Sequence, residues 1–536
     1  MGSPLLPSAH IDTFARDHLP AMQEWPELLE AVTYPDRLNA GVELLDATIA
    51  KHGATRPAVV ADDATWTYGE LSDHVRRIAT VLVDSGIVPG NRVLLRAPNN
   101  GWLMATWLAV LRVGAIAVTT VPLLRRMELE PIVEIGQPHL AIVDHRFMEE
   151  WETVEGFRGT TIVVGGQEPD RLEARAAAAA PHESFVATSQ DDVALIAFTS
   201  GTTGRPKATM HFHRDVLLIA DTFAAHLVKA GPDDVFSGSP PIAFTFGLGG
   251  LVVFPLRVGA STVMLEQGAP PRLMDAIDAH GVTCLFTAPT AYRAMLATRG
   301  EHRLSSLRRC ISAGEVLPAS TWQAWKDATG LTLIDGIGST ELLHIFISAA
   351  DADSTPGFTG RAVPGYVAAI LDDDLVPQRP GTPGRLAVKG PTGCRYLADD
   401  RQRVYVQGGW NLTGDIYECD EQGRYRYLAR ADDMIVSAGY NIAAPEVELA
   451  LLEHPRVLEV AVVGVADDER GVVVKAVAVV RDRPTDAENE AALVRELQDH
   501  VKATIAPYKY PRIVEFADAL PKTATGKLQR HRLKGE

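Results

Sequence analysis

The chain carries two apolar periods, 3.6 and 2, in alternation from its first hundred residues onward. Thr67-Tyr68-Gly69-Glu70 has the form of a capping box, in which a hydroxyl accepts from the third helical N–H and the glutamate reaches back. Leu71, Val75, Ile78 and Leu82 follow at helical spacing, and Gly86 supplies a stop. Residues 93–95 then predict a strand, 102–112 a buried helix, 116–121 a further strand, and the apolar run 193–198 another buried one. Strands in alternation with helices predict a parallel or mixed sheet between helical layers. The alanine run 176–180, closed by Pro181, reads as a surface helix or linker without chemistry, and no repeat of fixed period is present.

The pattern changes around residues 428–435. A polar, turn-rich stretch precedes it and an independent α+β pattern follows. Pro445 suits a helix start, with Val447, Leu449, Leu451 and Leu452 behind it; 457–465 and 472–480 predict strands, and 487–505 a helix. About a hundred residues suffice for a small domain. The expected fold is therefore α/β: a large domain over 1–431, built from several subdomains with mixed sheets layered with helices, and a small α+β domain over 432–536.

Composition narrows the function classes. A chain of 536 residues exceeds one ordinary core. A net charge of −17 argues against nucleic acid or an anionic membrane as partner, so any anionic substrate needs locally concentrated basic residues. The four cysteines (Cys284, Cys310, Cys394, Cys419) are widely spaced without a C-x-x-C pair, which suits a reducing cytoplasm and gives no metal-site signal. The first residues lack a basic segment followed by an apolar core, and no apolar run approaches membrane-spanning length.

The densest chemistry lies at 198–207, Phe-Thr-Ser-Gly-Thr-Thr-Gly-Arg-Pro-Lys. Here a strand runs into a loop whose glycines bring backbone N–H groups close to an anion, while Thr199, Ser200, Thr202 and Thr203 add hydroxyls and Lys207 adds charge. A polyphosphate fits such a loop, although the G-x-x-x-x-G-K-[ST] spacing of the common P-loop is missing. Downstream come Ser312-Ala313-Gly314-Glu315, Asp335-Gly336-Ile337-Gly338-Ser339-Thr340-Glu341, Thr413-Gly414-Asp415, Arg430-Ala431-Asp432-Asp433-Met434-Ile435 and Pro521-Lys522-Thr523-Ala524-Thr525-Gly526-Lys527.

In order and wording these segments resemble the adenylate-forming superfamily of acyl-CoA synthetases, adenylation domains and luciferases. The resemblance implies an enzyme that joins a carboxylate to the α-phosphate of ATP with Mg²⁺, expels pyrophosphate and passes the acyl group to a thiol. It implies that Thr199, Ser200, Gly201, Thr202, Thr203, Gly204 and Lys207 cover the β- and γ-phosphates. It assigns Glu341 to Mg²⁺, Thr340 to the adenylate phosphate, and Gly314, Glu315, Asp335, Gly336 and Ile337 to the adenine. Asp415 and Arg430 would face the ribose. Asp432 would be the hinge of a mobile C-terminal domain, whose Lys527 bridges the carboxylate and α-phosphate oxygens in the transition state.

Residues 335–346, the Thr-Phe-Gly-Leu-Gly-Gly segment at 245–250 and Ala-Gly-Tyr-Asn-Ile at 438–442 resemble the benzoate-CoA ligase branch, including 2-aminobenzoate-CoA ligases. The expected acid pocket comprises Phe244, Thr245, Phe246, Gly247, Ala288, Ala313, Gly338 and His344, with an aromatic ring between flat apolar walls. Phe246 reads equally as core. His344 reads either as a partner for the carboxylate or an ortho substituent, or as a buried structural histidine. Ortho-substituted benzoates (2-aminobenzoate, salicylate) rank ahead of benzoate. CoA is the expected thiol; the phosphopantetheine arm of a carrier protein presents the same thiol, and the motifs do not separate the two acceptors. A non-catalytic nucleotide-binding scaffold is disfavoured, because Lys527, Glu341 and the glycine loop are all present.

Overall fold

Thr67 caps the helix Tyr68–Asp84 as the pattern predicts. Its hydroxyl accepts from the Glu70 N–H at 3.2 Å, and the Glu70 carboxylate accepts the Thr67 N–H at 2.8 Å. The helix buries Leu71, Val75, Ile78 and Leu82 and ends ahead of Gly86. The computed structural model describes residues 5–61, 64–199, 205–300, 302–431, 434–437, 440–467, 471–484, 486–522 and 528–534. It divides into two compact units, one of residues 1–368 with 387–412, the other of 369–386 with 413–536.

The first unit holds two sheets. In the six-stranded sheet the order is Thr160–Val164, Leu140–Asp144, Arg92–Arg96, Ile116–Thr120, Val193–Thr199 and Lys207–Phe212. All neighbours run parallel except the last pair, which is an antiparallel hairpin. The nine-stranded sheet runs Arg361–Ala362, Ile345–Ser348, Leu333–Gly338, Arg309–Ala313, Cys284–Thr287, Val235–Gly238, Ser261–Val263, Pro57–Val60 and Thr65–Thr67. Its interior is parallel and only its outer strands are antiparallel. Parallel strands buried on both faces need apolar residues at nearly every position, which is why the periodicity of the sequence gives way there to apolar runs such as 193–198.

The alanine run is more than a linker. It ends the helix Leu172–Ala178, whose Leu172 and Ala176 are fully buried. The capped helix holds the end of this one: Arg77 donates to the Ala179 carbonyl at 2.7 Å and Thr80 to that of Ala180 at 2.6 Å.

In the second unit the strand Val457–Asp467 pairs antiparallel with Gly471–Val480, which pairs in parallel with Ile513–Phe516. The helices Ala444–Leu452, with proline in its first turn, and Ala487–Thr504 cover this sheet. Val447, Leu451, Val462, Leu493, Leu497 and Val501 form the centre of one apolar cluster. The hairpin of Met434–Ser437 with Tyr440–Ala443 contributes Ile435 and Ile442 to the same cluster. Cys284, Cys310 and Cys394 are buried free thiols, and Cys419 is a partly exposed one. No helix among the described residues is long and apolar enough to cross a membrane.

Because both halves of the capping box are formed, Thr67→Ala should cost the first unit about 1 kcal/mol. The measurement is the shift of its urea midpoint, and an unchanged midpoint would show that the cap contributes nothing.

Candidate active site

The register of the nine-stranded sheet brings four loops level. Gly238 lies opposite Phe286, Thr287 opposite Ser312, Ser312 opposite Asp335, and Ala313 opposite Gly336. Four parallel strands thus release their chains side by side into the segments that begin at Ser239, Ala288, Gly314 and Ser339. In open α/β sheets, ligands bind in the crevice beyond the carboxyl ends of the strands. The expected pocket and nucleotide residues Phe244 to Gly247, Ala288, Ala313 to Glu315 and Gly336 to Glu341 all issue from this one edge. A hydroxyl pair, Ser239 with Thr287 at 2.6 Å, ties two of the strand ends together. Glu315 accepts from the Thr290 N–H and hydroxyl, both at 3.2 Å, which links two of the loops.

The hairpin of strands Val193–Thr199 and Lys207–Phe212 faces this edge from the other sheet. Thr199 and Lys207 are register partners, so the pairing closes the chain on either side of residues 200–204. Ser200, Gly201, Thr202, Thr203 and Gly204 themselves lie outside the described residues. Side chains alternate along the strand Lys207–Phe212. Ala208, Met210 and Phe212 enter the core of the six-stranded sheet, while Lys207 and His211 face the 339–341 turn. Segment 395–397 runs beside this strand: the Met210 N–H donates to the Arg395 carbonyl at 2.8 Å and the Leu397 N–H to that of Ala208 at 2.9 Å.

Tyr396 is fully buried between the two expected ionic residues. Its hydroxyl donates to Glu341 Oε1 at 2.5 Å, and Lys207 Nζ donates to the same phenol oxygen at 3.3 Å. Burial first, and then the Glu341 charge, push the phenol far above its ordinary range, so it keeps its proton. His211 Nε2 donates to the Thr340 carbonyl at 2.8 Å, while its Nδ1 lies 3.9 Å from Asp215. Asp215 is ion-paired with Arg395, and both side chains are fully buried. The Arg395 guanidinium lies 4.1 Å over the Phe212 ring, and Arg395, Arg214 and His211 hold the Asp215 carboxyl below its usual range against the effect of burial.

Aromatic residues gather around His344. Phe246 is half-buried, 5.6 Å from Phe286 and 5.8 Å from His344 between ring centroids. Phe254 and Phe223 close the far side of His344 at 4.7 and 5.3 Å. Gly249, in a π-helical turn, permits this approach: a Cβ there would lie 2.4 Å from the imidazole. Gly338 does the same for the backbone, where a Cβ would meet the His344 carbonyl at 2.7 Å. His344 is 2 % exposed, and neither ring nitrogen meets a hydrogen-bond partner among the described residues. Burial pushes its pKa down to about 3 against weak opposition from the Phe246 backbone, so the ring is neutral. Burial also raises the Asp335 carboxyl to about 7, opposed by the Ser312 hydroxyl and the Gly336 N–H.

Two expected ribose ligands meet in the second unit. Asp415 and Arg430 are register partners on adjacent strands, with Arg430 Nη1 donating to Asp415 Oδ1 at 2.9 Å and to the Thr413 carbonyl at 3.0 Å. Asp432 and Lys527 lie outside the described residues.

Metal chemistry is consistent with this layout. No group of three or more His, Cys, Asp or Glu residues among the described residues forms a metal cage. Mg²⁺ needs none, because it is ordinarily held by one or two carboxylates and by substrate phosphates. Glu341, with one acceptor position taken by Tyr396, fits that use.

Tyr396, Tyr405, His211, Asp215 and Arg395 did not emerge from the motifs. No local pattern marks them, since each acts through a partner more than fifty residues away, apart from the His211–Asp215 contact.

A two-sheet unit with the Thr199–Lys207 hairpin opposite a row of parallel strand ends is the architecture of an adenylate-forming enzyme. Residues 45–396 match the AMP-binding enzyme family and 446–527 the AMP-binding enzyme C-terminal domain, and the chain belongs to this family. It is 33% identical over 517 residues to a benzoate–CoA ligase of Thauera aromatica, covering 94% of this chain and 97% of the relative. A 3-hydroxybenzoate–CoA ligase of Aromatoleum sp. (strain CIB) is 31% identical, with 93% and 96% covered. Among solved structures, the anthranilate CoA ligase AuaEII in complex with anthranoyl-AMP superposes with a TM-score of 0.88 at 33% identity, covering 94% of this chain and 98% of that one. A benzoate CoA ligase from Burkholderia xenovorans LB400 gives 0.83 at 32%, covering 93% and 100%.

The buried histidines set a pH dependence. His211, His213 and His344 are held near 4, 3 and 3, against 6.5 when unfolded. Their stabilising contribution is complete above the unfolded value and is lost as pH falls toward the folded ones. Asp335, raised to about 7, acts in the opposite sense, its penalty being relieved on acidification. With three groups against one, Tm should fall between about pH 7 and about pH 5, and His344→Phe should lessen the fall. Scanning fluorimetry across that range provides the measurement; a flat wild-type profile would contradict the assignment.

Proposed function

We propose that the protein is an AMP-forming aryl-CoA ligase, taking a benzoate-type acid, ATP and CoA to the aryl-CoA thioester, AMP and pyrophosphate. The observation that carries this reading is the meeting of Lys207 and Glu341 at one buried phenol, beside the strand edge that presents the aromatic wall of Phe246, Phe286 and His344. Positive charge for phosphates, a carboxylate for a cation and a flat apolar slot are what adenylation of an aryl acid requires.

In the first half-reaction a carboxylate oxygen attacks the α-phosphorus as the bond to the bridging oxygen breaks and pyrophosphate leaves. In the second the CoA thiolate attacks the acyl carbon and AMP leaves. The hydroxyl-rich loop from Thr199 to Gly204 and Lys207 hold the β- and γ-phosphates. Thr340 contacts the α-phosphate, while Gly314, Glu315, Asp335, Gly336 and Ile337 enclose the adenine. Asp415 accepts from the ribose hydroxyls, with Arg430 beside it to keep that carboxylate charged. Glu341 would hold Mg²⁺ together with the nucleotide, and the ion would supply neutralisation of phosphate charge. The C-terminal domain, 432–536, swings about Asp432 and brings Lys527 to the carboxylate and α-phosphate oxygens. A carrier protein is the less favoured acceptor, since the relatives reported above are CoA ligases over nearly their whole length. Free, mostly buried thiols suit a reducing compartment, the cytoplasm.

Within the benzoates, an ortho amino or hydroxyl group is favoured. His344 is a neutral imidazole behind Phe246 whose ring nitrogens make no well-formed hydrogen bond beyond the nearby Phe246 backbone, and a buried polar group left poorly paired carries a standing cost that a polar ring substituent removes. Thr245, half-buried at the start of the helix Thr245–Leu248, adds a hydroxyl near the same wall.

A pyrophosphate-release assay with ring-substituted benzoates, with and without CoA, should show turnover of 2-aminobenzoate and salicylate ahead of benzoate, and His344→Phe should remove the preference. Strong turnover of aliphatic acids beside a flat aryl response would overturn the substrate class. Lys527→Ala should lower adenylation by about 10²–10³-fold while sparing thioester formation from preformed aryl-adenylate. Equal loss of both half-reactions would refute the role of Lys527.

A further inference from the structure

Three consecutive residues of the catalytic turn are each held by a different ring. Ser339 Oγ and Tyr405 Oη share a hydrogen bond at 3.2 Å, the Thr340 carbonyl accepts from His211 at 2.8 Å, and Glu341 accepts from Tyr396 at 2.5 Å. The turn ends in a strained residue: Leu343 is fully buried with φ +70°, a conformation that a leucine keeps only where its surroundings impose it. From this geometry we infer that Tyr396, supported by Tyr405 and His211, is a positioning residue that keeps Lys207 and Glu341 apart and aimed. The inference rests on the reading of Glu341 as the Mg²⁺ ligand.

The direction of the hydrogen bonds carries the argument. A phenol has one proton, and here it goes to the carboxylate, so the lone pairs of the same oxygen receive the Lys207 ammonium. An ammonium and a carboxylate left to themselves in a buried site would pair directly and cancel each other. With the phenol between them, Glu341 keeps acceptor positions for a cation and Lys207 keeps N–H groups for a phosphate. Tyr396 is itself immobile. Its N–H donates to Gln402 Oε1 at 2.9 Å, its flanking residues Arg395 and Leu397 pair with the strand Lys207–Phe212, and its ring meets that of Tyr405 edge-on at 5.9 Å. The Arg395–Asp215 ion pair anchors the same segment from the other side.

Tyr396→Phe removes the hydroxyl and leaves the ring. The test is calorimetric titration of the full chain with ATP, once with Mg²⁺ and once with EDTA, which gives the Mg²⁺-dependent gain in affinity without any turnover. Tyr396→Phe should reduce that gain at least fivefold, beyond whatever ATP affinity in EDTA is lost through Lys207, with Tm within a few degrees. Tyr405→Phe, which removes the Ser339 contact, should reduce the gain by about twofold; this second variant keeps the test decisive if the first does not fold. A full gain retained in both variants, or a loss equal with and without Mg²⁺, would overturn the positioning role and leave the ligase reading standing. A wild type with no Mg²⁺-dependent gain, or an undiminished gain in Glu341→Gln, would overturn the Glu341 assignment and the positioning role with it.

Discussion

The register of one parallel sheet governs the whole site. Strand pairing is set residue by residue through backbone hydrogen bonds, and in the nine-stranded sheet it places Phe286, Ser312 and Asp335 within one step of the same level. The loops that follow are then neighbours without further instruction. A slip of one residue in any of these strands would turn its side chains to the opposite face.

The second constraint is the seam between the two sheets of the first unit. It is held by polar contacts inserted into an apolar core: Asp215 with Arg395, His211 with Thr340, Tyr396 with Glu341. Such contacts are poor sources of stability, since desolvation offsets most of what the pairing contributes, but removing one partner strands a buried charge at a cost of about 3–5 kcal/mol. Their effect is to make one arrangement of the seam much better than its alternatives. An active site that must align a triphosphate, a cation and a carboxylate needs that selectivity more than it needs extra stability.

The acid pocket shows the complementary compromise. His344 with two unpaired nitrogens is a defect if the protein is judged by stability alone. Glycines at 249 and 338 make room for it, and Phe223, Phe246 and Phe254 pack against it. A neutral imidazole behind an aromatic wall leaves that cost with the folded state.

Local sequence determined a good deal by itself. The capping box at Thr67, the helix carrying Leu493, Leu497 and Val501, and the paired strands of the C-terminal region follow from rules that operate over a few residues, and the ordered motifs identified the chemistry and the family. The docking of the alanine run, the seating of Tyr396 beside Thr209, the reach of His211 to Thr340 and the enclosure of His344 by Phe223 and Phe254 were decided only in three dimensions. The reason is physical. Periodicity and turn chemistry report what a segment does with its own backbone, whereas a buried tyrosine or histidine acquires its role from whichever charge the packing of distant strands brings within 3 Å or so of its single polar atom.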